Sequence, residues 1–228
     1  MDKKPAMTVI FAGIDPSAKP ENKSALCLLD AHLTILHLGE WNTFSELDHI
    51  LRPYKSLIQT IGIDGPLQLP HELKRCCFTP STPGCSHRQT VPYRGRYCEY
   101  VLNKNGYRCY ATSKNSFVKS WVLRCLDLAQ FLMSKGYALL EVFPTATRKI
   151  LFSEVSGKKQ SKSTRLALVQ ALKREGVIFP QGKKSYSHHQ LDALLAAYTA
   201  LLHYRGKTMA VGDERDGYII IPRTQIRR

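Results

Sequence analysis

The 228-residue chain lacks any apolar stretch near the ~20 residues that span a bilayer. No apolar signal core follows its opening Met1-Asp2-Lys3-Lys4-Pro5. Membrane-spanning and exported classes are set aside, and a cytoplasmic protein is expected. Acidic side chains are scarce: 18 Asp and Glu against 33 Lys and Arg leave a formal charge of +15. Part of that excess serves solubility. Clustered cations also gain affinity by releasing counterions from phosphates, so a polyanionic partner is indicated. The charge gathers at residues 88–108, 158–165, 183–184 and 223–228. None of these segments forms an amphipathic helix with a bulky apolar face, which puts nucleic acid, DNA or RNA, ahead of a membrane surface.

A disulfide framework lacks its signs too, because seven cysteines are an odd number in a chain with no export signal. Five of them, Cys76, Cys77, Cys85, Cys98 and Cys109, fall in one region with His87. Cys76, Cys85, His87 and Cys98 offer four soft ligands for a structural Zn²⁺. The paired Cys-x₂-Cys knuckles of such sites are missing, and thiols kept reduced are the plainer account. Internal repeats and low-complexity tracts are absent. With 43% hydrophobic content, one domain over residues 1–228 is expected, carrying an inserted loop-rich segment at about 70–115.

What the chain does have is a device used twice. Residues 8–15 are a short β-branched run ending Gly13-Ile14-Asp15, and residues 57–64 are another ending Gly62-Ile63-Asp64. Continuous runs of this kind read as strands buried on both faces. A carboxylate at the end of such a strand is aimed at the sheet rim, where open α/β folds put their chemistry. Parallel neighbours would bring the two acids to ~5 Å, where they repel unless a cation intervenes.

Between them, residues 24–29 and 33–38 read as strands joined by short turns, which implies an antiparallel meander. Thr43-Phe44-Ser45-Glu46 is a capping box opening a helix that Pro53 shortens or kinks. The right-handed crossover rule then lays the fourth strand parallel to the first. After the insertion, helical spacing through Phe117, Trp121, Cys125, Leu128 and Leu132 predicts a helix over 116–135, stopped by Gly136. A fifth strand over 137–143 carries Glu141, and short helices are expected at 145–152 and 164–175. Ser187-His188-His189-Gln190 is a second capping box, opening a helix over 191–204. Residues 209–221 read as a terminal hairpin.

Asp15, Asp64 and Asp192 are the expected ligands of a divalent ion, since carboxylate oxygens suit Mg²⁺ or Mn²⁺. His188 and His189 precede Asp192 by four and three residues, on the same helix face. His189 is the expected orienting or proton-transfer group, and Glu141 a candidate fourth acid. Each aspartate taken alone is equally a turn or helix cap. Lys19, Arg94, Arg96, Lys183 and Lys184 are candidate nucleic-acid contacts, Tyr93-Arg94-Gly95-Arg96-Tyr97 mixing planar cations with aromatics.

Gly13-Ile14-Asp15-Pro16-Ser17 resembles the first motif of RuvC-type Holliday-junction resolvases, of ribonuclease H-like fold. His188 to Leu194 (HHQLDAL) resembles their last motif. Residues 61–70 (IGIDGPLQLP), Glu141-Val142-Phe143-Pro144, Leu191-Asp192-Ala193 and the closing Gly212…Gly217-Tyr218-Ile219…Pro222 are together similar to a family of predicted nucleases, domain-of-unknown-function family four-two-nine. In resolvases the second acid is usually Glu, and here it is Asp64. The resemblance implies a metal-dependent phosphodiesterase, although activity does not follow from fold. The expected architecture is a ribonuclease H-like five-stranded mixed sheet in order 3-2-1-4-5, with helices on both faces. A catalytically inactive nucleic-acid-binding module of the same fold is the alternative. An actin-like phosphotransferase ranks third, because the turns after Asp15 and Asp64 lack its Gly-rich phosphate loops.

Overall fold

A computed structural model describes residues 9–19, 21–79, 85–182 and 185–225. The sheet contains β1 (Ile10–Asp15), β2 (Ser24–Asp30), β3 (Ile35–Trp41), β4 (Ile58–Asp64), β5 (Leu139–Val142), β6 (Thr208–Asp213) and β7 (Gly217–Pro222). Their order is 3-2-1-4-5-7-6. β1 runs antiparallel to β2 and parallel to β4, and β4 runs parallel to β5. The expected ribonuclease H-like order 3-2-1-4-5 is therefore present. The terminal hairpin adds to it: β7 joins the edge of β5 through the Val142–Ile220 pair, giving seven strands where five were expected. Among the described residues no helix is long and apolar enough to cross a membrane.

The helices are α1 (Phe44–Leu51), α2 (Tyr97–Lys104), α3 (Lys119–Ser134), α4 (Pro144–Leu151), α5 (Lys162–Arg174) and α6 (His188–Tyr204). Thr43 and Glu46 close the first capping box, and α1 gives way to a 3₁₀ turn (Arg52–Tyr54) at Pro53. The insertion contains one 3₁₀ turn, Arg75–Cys77, and α2. α3 begins later than the spacing predicts. Phe117 lies outside it, 83% exposed against Tyr110, instead of continuing the buried stripe.

Alternation along the strands sorts the two faces. Ile10, Ala12, Ile14, Ile61 and Ile63 pack with Leu47 and Leu51 of α1 and Leu128 and Leu132 of α3. Phe11 of β1 and Cys27 and Leu29 of β2 face the other side, with α5 and α6. Gly13 and Asp15 share the face of Phe11, and Gly62 and Asp64 lie level with them, because Gly13 pairs with Gly62. α6 is buried on every side from Gln190 to Leu202, rather than along one stripe.

The glycines let α6 approach the sheet closely. A Cβ on Gly13 would stand 2.0 Å from the Ala193 carbonyl oxygen and 2.2 Å from the Ala197 nitrogen. One on Gly62 would meet the Ala196 carbonyl oxygen at 2.6 Å. These obstacles are backbone, which no rotamer change relieves. Gly13→Ala is expected to cost at least about 3 kcal/mol, the upper part of the range for overpacked sites. A urea titration giving wild-type stability for that variant would show that α6 does not lie this close.

Candidate active site

The acids converge through three elements. Asp15 and Asp64 end the parallel neighbours β1 and β4. Asp192 lies in the second turn of α6, beside the Ala193 carbonyl that contacts Gly13. The start of α6 is fixed by its capping box: Ser187 Oγ accepts from Gln190 N–H at 3.1 Å, and the Gln190 side chain accepts from Ser187 N–H at 3.1 Å. From that first turn His189 Nδ1 reaches Asp15 Oδ2 at 2.6 Å. The Lys159 ammonium donates to Asp192 Oδ2 at 2.6 Å. Among the described residues no donor engages the Asp64 carboxylate; it feels only neighbouring charges.

Burial dominates the electrostatics. It raises the Asp15 pKa, with Asp192 adding to the rise and the His189 hydrogen bond opposing it. The Asp64 carboxyl is pushed well above the usual range, first by its enclosure and then by Asp15 and Asp192. The hydrogen bond to Asp15 raises the His189 pKa. Burial works against a charged Lys159, but Asp192, Asp64 and Asp15 outweigh it and its pKa is raised. Carboxylate oxygens are the donors a hard divalent cation prefers, but among the described residues the three aspartates, unlike the cysteine–histidine group of the insertion, do not bring their oxygens within 4.8 Å of one another. Asp15 and Asp64 open on a cleft of about 360 Å³ that Trp121, Arg108, Tyr110, Lys159 and His189 help to line; Asp192 lies behind it, reached through Lys159. Trp121 Nε1 donates to the Pro16 carbonyl at 3.1 Å, bracing the turn after Asp15.

Glu141 lines the same cleft as Asp15 and Asp64, and its charge adds to the rise in the Asp64 pKa, but it is held differently. On β5 it pairs with Ile63, whereas Val142 pairs with Asp64, so its side chain leaves the opposite face of the sheet. Arg96 takes both its oxygens, with Nη1 at 2.7 Å from Oε2 and Nη2 on Oε1, and Leu67 N–H adds a bond at 2.9 Å. Arg96 is accordingly not a nucleic-acid contact. It is 1% exposed and also holds Glu99 through Nε at 2.9 Å, locking α2 to the sheet. Arg94 is exposed, although its guanidinium engages Ser113 Oγ and the Asn115 carbonyl. Lys19 is exposed and 4.0 Å from Glu21. Lys183 and Lys184 lie outside the described residues.

Cys98 is likewise elsewhere than expected. It is fully buried in α2, among Val101, Leu102, Ile219 and Ile221. The group that forms is Cys76, Cys77, Cys85 and His87. Lys159, the closest cation to the aspartates, was unmarked in the sequence; its sole signal was a place in the basic 158–165 stretch.

A family model described as a protein of unknown function (DUF429) matches residues 13–216. No curated protein matches the chain. Among solved structures it is similar to T. thermophilus RuvC in complex with Holliday junction substrate, at 14% identity and a TM-score of 0.44, over 87% of this chain and 96% of that one.

The raised Asp64 pKa has a thermodynamic sign. The folded state binds this proton more tightly than the unfolded chain does. Stability therefore falls as pH rises from the ordinary carboxylate range through the raised folded value. Asp64→Asn removes that penalty. In chelator at neutral pH the variant is expected to be more stable than wild type. The difference should vanish below about pH 4, where the unfolded carboxyl also protonates. Denaturant titrations at the two pH values measure it, and equal stability at neutral pH would mean that Asp64 is not under this strain.

Proposed function

The chain belongs to the family described as a protein of unknown function (DUF429), and from that premise we propose a divalent-metal-dependent nuclease hydrolysing phosphodiesters in DNA or RNA. The observation that carries the reading is the approach of Asp15, Asp64 and Asp192 from two parallel strand ends and the start of one helix, close enough for Asp15 and Asp192 to act on Asp64, with Asp15 and Asp64 lining one cleft. Asp15, Asp64 and Asp192 would hold Mg²⁺ or Mn²⁺. Such an ion supplies activation of water and neutralisation of charge developing on the phosphate.

The chain's own residues do the rest. His189 fixes the Asp15 carboxylate through Nδ1, and its second ring nitrogen remains to move a proton. Lys159 orients Asp192 and brings a cation to the cleft, where a phosphate oxygen would sit. Arg108 on the cleft wall and the net charge of +15 support a polyanionic substrate. Glu141 lines the cleft with both oxygens held by Arg96, and no step is assigned to it.

A second reading, the silent nucleic-acid-binding module, is favoured by one observation: the Lys159 ammonium already stands against Asp192. In that case it permanently replaces the ion.

Labelled single-stranded, duplex and branched DNA and RNA, incubated with Mn²⁺, test the proposal. Wild type is expected to cleave at least one of them. Asp15→Asn and Asp192→Asn should each lower the rate by roughly 10³-fold or more, the several kcal/mol an ion contributes, while keeping the wild-type circular dichroism. Undiminished cleavage by either variant overturns the assignment. No cleavage together with no Mn²⁺ heat in calorimetry selects the silent module.

A further inference from the structure

The second group of metal-ligating side chains lies in the insertion. Its 3₁₀ turn, Arg75–Cys77, presents two adjacent thiols, and the chain returns eight residues later with Cys85 and His87. Cys76 Sγ and Cys77 Sγ lie 3.4 and 3.3 Å from Cys85 Sγ. His87 Nδ1 is 3.5 Å from Cys85 Sγ and 3.8 Å from Cys76 Sγ. All four donor atoms fall within 4.8 Å of one another. Those sulfurs are far beyond the ~2.05 Å of a disulfide. They are close to the ~3.8 Å edge of a tetrahedron built on Zn–S bonds of about 2.3 Å.

We propose that Cys76, Cys77, Cys85 and His87 hold a structural zinc ion that fastens the insertion to the start of α3. Three sulfurs and one imidazole nitrogen select a soft or borderline ion over Mg²⁺ or Mn²⁺. Four protein ligands leave no open position, so the ion organises structure and touches no substrate. The surroundings give it something to organise. Cys77 packs with Leu73, Phe78 and Val122, and Trp121 and Leu126 lean on the same cluster. Arg75, one residue before the ligands, pairs with Asp127 of α3 at 2.7 Å. On the returning arm, the Lys114 ammonium caps the Cys85 and His87 carbonyls. The loop thus meets α3 at the turn whose Trp121 braces Pro16 and forms cleft wall.

The test uses the full-length protein, purified without chelator from zinc-supplemented cells. Metal analysis is expected to find one zinc per chain. Exchange for Co²⁺ should give the intense visible bands and sulfur-to-cobalt charge transfer of a tetrahedral thiolate site. Cys77→Ser and Cys85→Ser should each drop zinc to near zero, whereas Cys98→Ser and Asp15→Asn keep one per chain. Zinc below a tenth of an equivalent in the wild type overturns the proposal whatever the variants do. So does full zinc retention in Cys77→Ser/Cys85→Ser, or zinc lost from Asp15→Asn alone, which would place the ion at the carboxylates. Should the cysteine variants not fold, the wild-type stoichiometry and cobalt spectrum still decide.

Discussion

Two glycines facing one helix set the geometry on which the rest depends. Strand alternation puts Gly13 and Asp15 on the same face of β1, and Gly62 and Asp64 on the same face of β4. The face left bare for α6 is therefore the face that carries the acids. On α6, residues 189, 192, 193, 196, 197 and 200 fall along one side at helical spacing. That side is Ala where it crosses the glycines, and His and Asp where it reaches the strand ends. Close packing and convergence of charge are thus one requirement. If side chains held α6 off the sheet, His189 could not approach Asp15 to 2.6 Å.

The two buried charge groups on neighbouring strands are resolved differently. Glu141 and Glu99 share the Arg96 guanidinium and further hydrogen bonds from Leu67 and Thr112. One guanidinium and a shell of hydrogen bonds hold both carboxylates inside the protein, and the pairing joins the insertion to the sheet. Removing one member of such a buried set strands its partners without solvent, so its role is permanent. Asp15, Asp64 and Asp192 have only Lys159, which is part-exposed on a loop, and His189. The difference lies in hydrogen bonding: every carboxylate oxygen of Glu99 and Glu141 accepts at least one bond, whereas among the described residues no donor engages Asp64. That difference separates an anchoring network from a group with acceptors to spare.

How much of this could be read from the amino acids depends on how local each signal is. The paired Gly-Ile-Asp endings, the α6 capping box and the right-handed crossover are encoded within a few residues, and they give the 3-2-1-4-5 order and the three aspartates. The seventh strand is not local. Two patterned runs announce a hairpin, but its seat beside β5 rests on one bridge, Val142 to Ile220, across 78 positions of sequence. For Glu141, a strand reading gives its nearness to the rim, and only the register with β4 tells which face it leaves. Arg96 looks like a surface cation beside Tyr93 and Tyr97. Its burial depends on Glu141, 45 residues away. For the thiols, spacing suggested Cys98 as a ligand, yet α2 turns it into the core under β7, and the 3₁₀ turn delivers Cys77 instead.

The insertion and the carboxylates meet through α3. Its first turns press Val122 and Trp121 against the cysteine-bearing loop, while the Trp121 indole holds the Pro16 carbonyl next to Asp15. The loop buries Leu73, Cys77 and Phe78 against Val122, a small core of its own. On the proposed reading, the cluster of sulfur and imidazole donors would add a second hold with few residues. If both sites bind as proposed, oxygen donors would take the hard ion and sulfur donors the soft one. They are also joined mechanically, because whatever orders the loop also steadies the cleft wall over Asp15 and Asp64. Rigidity at that wall is what a site built from three mutually repelling carboxylates needs, since a displacement of 1 Å is enough to lose productive alignment with a phosphate.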